Sequence, residues 1–590
     1  MNRLLSPALQ CFDSDKSKDK KFIVGVLVGS YIAYRVIRKC IHLKNKCDTN
    51  KKIKDKQEEC KQFKKIKEEF LIKEKGMTRE KMEKIVKLPI QSLMEELHSG
   101  KLKAVDVLNA YQMKALEVDK LTNSVTEVIS EAEELALSRD LDNRKKGPLF
   151  GIPISVKECL MIKGYDCTGG MACCLNKPAP TDNVLIQVLK EQGAIPFVIT
   201  NLPQTMMTYE CANPIFGVTN NPHDPKRIPG GSSGGEGALI GGGGSILGIG
   251  SDIGGSVRIP AHMSGCCAFK PTYGRLSCKG VHDFQGGQKL VCATPGPMAA
   301  DVDGLVACMK SLLVPRMFEL DPTIPPVPFR NEIFKDKRKL TIGFYVDDGH
   351  LQPVPACQRA VLEVKAILEA QGHTVVPFKH LDIYRMTELI AQVFFADAGK
   401  SYLDVLATDK VDPTIAGTMI ALTWPKWFKK LAAYVLGKLT KDKMMSIYGQ
   451  AMAGVGSIDE YWDLAMQIEA YKSDFLKKWN DNKLDALICP GFAYPAIPHG
   501  TVQYCTAGVT YTTLYNLLNY PAGTLKVTKV TEQDVVNLKT YPSNTWTDKY
   551  VKQFSQDTVG LPVGVQFVSL PFQEEQVLRL MKEVESSLKQ

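Results

Sequence analysis

Two rhythms of apolar residues alternate along the chain from about Ile90. Stretches with apolar positions three and four apart predict helices, and short runs that are apolar throughout predict buried strands. "SLMEELHSGKLKAVDVLNAYQMKALEVD" has the helical rhythm. "PLFGIPISVKE" is a short run with a β-branched bias, and it predicts a strand with Lys157 at its end. "NVLIQVLKEQGAIPFVITNLP" reads as helix, glycine turn and buried strand. "KLTIGFYVDD" followed by "ACQRAVLEVKAILEAQGHTVVPF" reads as strand, helix, strand. "DALICPGFAYPA" and "VGLPVGVQFVS" add two more strands before a last helix, and the Pro-rich "LDPTIPPVPF" is a connector. The alternation predicts an α/β fold, a large mixed and mostly parallel sheet covered by helices.

Two segments stand apart from this alternation. Phe22–Tyr34 is an uncharged apolar run of 13 residues. A membrane span needs about 20, and Arg35 and Arg38 lengthen this one by reaching to the interface. A secretory signal has an apolar run of similar length, but here Arg and Lys follow where a small-residue cleavage site belongs. The expectation is an uncleaved transmembrane anchor at 22–43, an N-terminal tail at 1–21, a solvated, charged helical linker at 44–87, and a body at 88–590. Lys and Arg are densest from Arg35 to Lys67, which places the body on the cytosolic side. The anchor's expected membrane is an internal one, the endoplasmic reticulum.

The second segment, "TWPKWFKKLAAYVLGKLTKDK" at 423–443, sets Trp424, Trp427, Phe428, Leu431, Tyr434, Val435 and Leu439 at helical spacing. Lys426, Lys429, Lys430, Lys438 and Lys441 fall largely between them. A Trp-rich apolar face with lysines beside it is the pattern of a helix lying in a membrane interface, and a helix docked on the core is the plainer alternative.

Composition narrows the function classes. The 590 residues are 44% apolar and 23% charged, which is ordinary globular composition. Residues 1–87 hold 24 Lys and Arg against 12 Asp and Glu, and the rest of the chain holds 50 against 52. The basicity therefore belongs to the N-terminal arm, near anionic lipid, and the near-neutral body argues against nucleic acid as a partner. The 17 cysteines are scattered, with adjacent pairs at Cys173-Cys174 and Cys266-Cys267 and no CxxC pair. They read as reduced thiols, with no zinc site.

The candidate chemistry lies in "PGGSSGGEGALIGGGGSILGIGSDIGGSVRIPA", Pro229–Ala261. It lacks the Gly-Lys-Ser/Thr ending of a phosphate loop, and the GxG at Gly248–Gly250 lacks the strand-then-helix context of a dinucleotide site. The apolar Ile246, Leu247, Ile249 and Ile253 interleave with the glycines, unlike a flexible linker. Glycines let backbone N–H groups converge on an oxyanion while a serine attacks, but no clear His partner accompanies these serines. His262 reads as packed in the following helix. A lysine held neutral by burial can take the proton instead, and Lys157 is the candidate, although a surface charge is the plainer reading of that residue alone.

Together these pieces closely resemble the signature of the amidase signature enzymes. Gly-Gly-Ser-Ser-Gly-Gly is followed by Gly-x-Gly-x-Asp-x-Gly-Gly-Ser-x-Arg-x-Pro, and "GIPISVKE" looks like the segment that carries the family's lysine. The resemblance spans roughly Leu88 to the C-terminus. Glu236 in "GGSSGGEGALIG" and the N-terminal anchor point, within the family, to the fatty acid amide hydrolases. The resemblance implies a Ser-Ser-Lys triad of Lys157 as base, Ser232 as proton shuttle and Ser256 as nucleophile. It implies an oxyanion hole from the N–H groups of Ile253, Gly254, Gly255 and Ser256, with Asp252, Arg258 and Ser233 as structural supports. The same residues, with Ser232 and Met206, would bind substrate, and Met207 would lie near the acyl chain. Residues 423–443, with Trp424, Trp427, Phe428 and Leu431, would form a hydrophobic cap on membrane lipids.

The implied reaction is hydrolysis of fatty acid amides, N-acylethanolamines and primary amides, without metal or cofactor, in a homodimer. Two alternatives remain. A glutamine-hydrolysing subunit of a transfer-RNA amidotransferase is disfavoured by the anchor and the Trp-Lys helix. A catalytically dead membrane scaffold is disfavoured by the intact Lys157, Ser232 and Ser256.

Overall fold

The computed structural model describes residues 48–141, 147–379 and 382–589. The expected anchor at 22–43 lies outside the described residues. Among the described residues no helix is long and apolar enough to cross a membrane.

Eleven strands form one sheet among the described residues: β1 (Val125–Val128), β2 (Pro153–Lys157), β3 (Ile195–Thr200), β4 (Leu247–Asp252), β5 (Cys267–Lys270), β6 (Thr294–Ala299), β7 (Thr341–Phe344), β8 (Thr374–Pro377), β9 (Ala486–Pro490), β10 (Ala522–Lys529) and β11 (Pro562–Val568). Their order is β1-β3-β2-β4-β6-β5-β10-β11-β9-β7-β8. The sheet is mixed, but the expected parallel majority is not observed. Only β3/β2, β2/β4, β9/β7 and β7/β8 are parallel neighbours. The reason is insertion. The helix Arg258–Ser264 joins β4 to β5 as a crossover between strands of the same sense, and β6 slots between them antiparallel to both. In the same way β11 slots between β9 and β10. Helix-strand alternation thus reports the crossovers, and not which later strand fills the gap they leave.

Helices cover the sheet. The short helix Gly234–Gly241 packs against β2, β3, β4 and β6, and Arg258–Ser264 against β5, β10 and β11. Both are wholly or almost wholly buried and so rich in small residues that their backbones approach the sheet closely. A Cβ on Gly235 would sit 2.3 Å from Asn201 N.

The charged helix expected to be solvated is docked along one side. Its helix, 48–73, buries Ile53 against Ala172, Leu175 and Ile215, and Leu71 enters the main core. Lys56 pairs with Glu127 at 2.9 Å and Lys64 with Asp119 at 2.7 Å. Its mixed charges serve the body as well as solvent.

A second core lies under Pro413–Leu422 and Lys443–Ala451, which pack around Phe395 and Tyr402, and the helix Lys426–Thr440 lies against Lys443–Ala451. The helix Lys426–Thr440 leaves Trp427, Phe428, Leu431, Tyr434 and Leu439 exposed. Lys429 departs from the expected lysine border: it is buried, and its Nζ donates to Met452 O at 3.0 Å.

Candidate active site

The site begins at the carboxyl ends of two neighbouring strands, where ligands of α/β sheets commonly bind. β2 and β4 run parallel, with Ser155 opposite Gly248 and Val156 opposite Ile249. This register sets the last residue of β2, Lys157, beside Ser251 near the end of β4. Gly248 and Gly250 are glycine because side chains from the neighbouring helix segment fill the space. A Cβ at Gly248 would meet Glu236 Oε2 at 1.9 Å, and one at Gly250 would meet Ser233 Oγ at 2.7 Å. The GxG therefore lies inside a strand and ahead of a helix, but its role is close packing.

Lys157 is fully buried. Its Nζ lies 2.7 Å from Ser232 Oγ and 2.9 Å from Ser251 Oγ, and no carboxylate pairs with it among the described residues. Burial pushes its ammonium below the ordinary lysine value; the more distant Asp252 and Glu236 oppose this and do not win. Ser232 follows a cis Gly231–Ser232 peptide just before the helix Gly234–Gly241. Ser256 follows β4 in the turn that enters the helix Arg258–Ser264.

Ser232, Ser251 and Ser256 all line one cavity of about 650 Å³, and Lys157 stands directly behind the first two. The cavity is mainly apolar and reaches Phe394, Trp424 and Leu436. Met206, Met207, Ile253 and Gly254 also line it. Trp424 thus joins the cavity wall, whereas Trp427, Phe428 and Leu431 stay on the outer surface.

A buried ion pair fixes the turn that carries Ser256. Asp252 accepts from Gly255 N at 2.8 Å, Val257 N at 3.1 Å and Arg258 Nη2 at 2.9 Å. Arg258 continues to Thr512 O at 2.9 Å and Gln566 Oε1 at 2.7 Å. Burial raises the Asp252 carboxyl, but the Arg258 guanidinium outweighs it and holds the group well below the carboxylate range. Gly255 is one of the expected oxyanion donors, and its N–H is engaged by Asp252 in this structure. Its glycine has a conformational cause: φ is 122°, and a Cβ would meet Thr512 Oγ1 at 2.3 Å. The Ile253, Gly254 and Ser256 N–H groups have no protein acceptor among the described residues.

Ser233 braces the same strand. Its Oγ donates to Ser251 O at 3.2 Å, and its N–H donates to Ser256 O at 3.0 Å. Glu236 accepts from Ser155 Oγ at 2.6 Å and Thr200 Oγ1 at 2.8 Å, and burial pushes its carboxyl up to about 7. His262 is buried in its helix against Tyr494 O at 3.0 Å, and burial takes its imidazole down to about 4.

Ser251 is the site residue the sequence reading missed. Its signal was its place directly before Asp252 on the same strand that leads to Ser256. Among the described residues no cluster of three metal-ligating side chains is present.

Comparison with known proteins identifies the family. Residues 106–578 match the family described as Amidase. The chain is 41% identical over 507 residues to fatty-acid amide hydrolase 1 of Sus scrofa, covering 85% of this chain and 86% of that one. It is 38% identical over 508 residues to fatty acid amide hydrolase 1 of Caenorhabditis elegans, covering 84% and 88%. It is 39% identical over 453 residues to the vitamin D3 hydroxylase-associated protein of Gallus gallus, covering 75% and 95%. A solved structure of a fatty acid amide hydrolase superposes with a TM-score of 0.75 at 26% identity, over 92% of this chain and 95% of that one. The chain belongs to the amidase signature family and is an amide-hydrolysing enzyme.

Proposed function

We propose that this enzyme hydrolyses long-chain fatty acid amides, N-acylethanolamines and primary amides among them, through an acyl-enzyme on Ser256. The observation that carries the reading is the buried Lys157 amine, 2.7 Å from Ser232 Oγ, behind an apolar cavity that Ser232 shares with Ser256. A cavity of about 650 Å³ suits an acyl chain better than a small polar amide.

The neutral Lys157 amine takes the Ser232 proton while Ser232 takes the Ser256 proton. Ser256 Oγ then bonds to the amide carbon. The carbonyl electron pair moves to oxygen, which the Ile253, Gly254 and Ser256 N–H groups receive. Ser232 next gives a proton to the amide nitrogen and regains one from Lys157, so the leaving group departs as a neutral amine. Water, activated through the same relay, adds to the ester and releases the fatty acid and free Ser256. Without that proton the leaving group would be an amine anion, which is why the shuttle between base and nucleophile matters.

The exposed Trp427, Phe428 and Leu431, next to a helix end where Trp424 enters the cavity wall, support docking on a membrane surface with lipid entering from that side. The anchor at 22–43 would hold the body to the cytosolic face of an internal membrane. The functional test is a chain-length series of primary amides. The reading requires kcat/KM to rise as the acyl chain lengthens from two to about sixteen carbons, by roughly tenfold per few buried methylenes until the cavity is filled. A preference for the shortest amides would refute it.

A further inference from the structure

Lys429 is a buried cation in the cavity wall with work left to do. The helix Lys426–Thr440 turns most of its large residues outward, but Lys429 is 5% exposed and lines the cavity. Ala432, Ala433 and Leu436, three, four and seven residues on, line the cavity too, so this is the helix's inner face. None of these three carries an acceptor. Lys429 Nζ donates to Met452 O at 3.0 Å, at the end of the helix Lys443–Ala451, where a cation suits unpaired carbonyls. That bond occupies one of three ammonium donors. No carboxylate pairs with Lys429 among the described residues, and the charge that acts on it is the like charge of Lys426. Lys289, another lysine of the cavity wall, is exposed and meets solvent. A buried cation with spare donors in an apolar cavity calls for an anion that arrives with an apolar body attached.

We propose that Lys429 is a carboxylate receptor, which holds the head group of a long-chain fatty acid whose tail lies along the apolar cavity wall. The choice of ligand rests on the lipid-amide reading, because that reaction releases such an acid inside the same cavity. Bound there, the acid occupies the space of the next substrate, and the enzyme is restrained by its product. Lys429 takes no part in the serine-lysine relay.

Calorimetric binding of laurate and of dodecanol, equal in chain length, to the full chain tests this without any turnover. The wild-type enzyme is expected to bind laurate at least about tenfold more tightly than dodecanol, the size of one charge-assisted hydrogen bond. K429M is expected to erase that preference by weakening laurate alone, and K429R to retain it. Equal binding of the two ligands by the wild type overturns the proposal whether or not any variant folds. So does a K429M variant that weakens both ligands alike, or one that weakens only vesicles of anionic phospholipid and leaves laurate unchanged. Laurate binding through Lys429 in an enzyme that fails to cleave lipid amides would leave this inference standing and remove the lipid-amide reading.

Discussion

Lys157 Nζ and Ser232 Oγ stand 2.7 Å apart, with the lysine sealed from solvent and no carboxylate among the described residues to pair it. That arrangement disfavours the charged amine, since burial pushes its value below the ordinary one of about 10.4. In the proposed relay Lys157 acts as base when neutral, so kcat/KM should climb as pH rises through its lowered value. K157M should reduce kcat by about 10²–10⁴-fold and flatten that limb. A pH–rate profile of the variant that keeps the limb would assign the base to another group.

Ser251 shares Lys157 with Ser232, at 2.9 Å. Its oxygen stabilises the ammonium by accepting from it, so S251A should move the midpoint of the rate profile to lower pH. The loss of one hydrogen bond to a charged group predicts about a tenfold fall in kcat with KM little changed. Full pH profiles separate this from a merely structural role, which would lower the rate without moving the midpoint.

Asp252 and Arg258 form a fully buried pair whose hydrogen bonds set the Ser256 turn. D252N leaves the guanidinium without its charge partner and should cost about 3–5 kcal/mol in denaturant unfolding at pH 7. The native Asp252 value lies below the unfolded one of about 3.9. Its contribution is therefore complete above that pH and fades as pH falls toward the native value. The stability gap between wild type and D252N should narrow on acidification below about pH 4, and a gap that widens there would contradict the assignment.

The outer face of the helix Lys426–Thr440 gives a prediction about place of action. Trp427 is 68% exposed, and it is absent from the cavity wall. W427E should weaken binding to phospholipid vesicles by about tenfold or more, the worth of burying one large aromatic ring at an interface. Vesicle co-sedimentation checks this, and the fall should exceed any fall in hydrolysis of a short soluble amide.

The candidate site was more legible in the sequence than the architecture. Lys157, Ser232, Ser256, Asp252 and Arg258 sit in short motifs whose glycines and serines have few other uses, and the structure brings all five to the ends of β2 and β4. Ser251 was hidden because its role depends on the parallel register of those strands, which no local pattern encodes. The strand β4 was hidden for a related reason. Gly248 and Gly250 depress its strand propensity, and only the packing of Glu236 and Ser233 explains them. The excess of antiparallel neighbours follows from β6 and β11 returning into gaps left by crossovers, a long-range choice. Lys429 looked like one lysine of a border because spacing alone does not say which turn of a helix faces a cavity. The docking of the helix 48–73 was likewise unreadable from its charges, since Lys56 and Lys64 find their partners in Glu127 and Asp119, far along the chain.

The proposed mechanism makes Ser256 the nucleophile in a lipid-sized cavity. Labelling of the full chain with a fluorophosphonate probe, followed by peptide mapping, tests it most directly. One adduct is expected, on Ser256, which a long-chain fatty acid amide blocks and which S256A abolishes while keeping the wild-type melting behaviour. An adduct on another residue, or undiminished labelling of S256A, would contradict it.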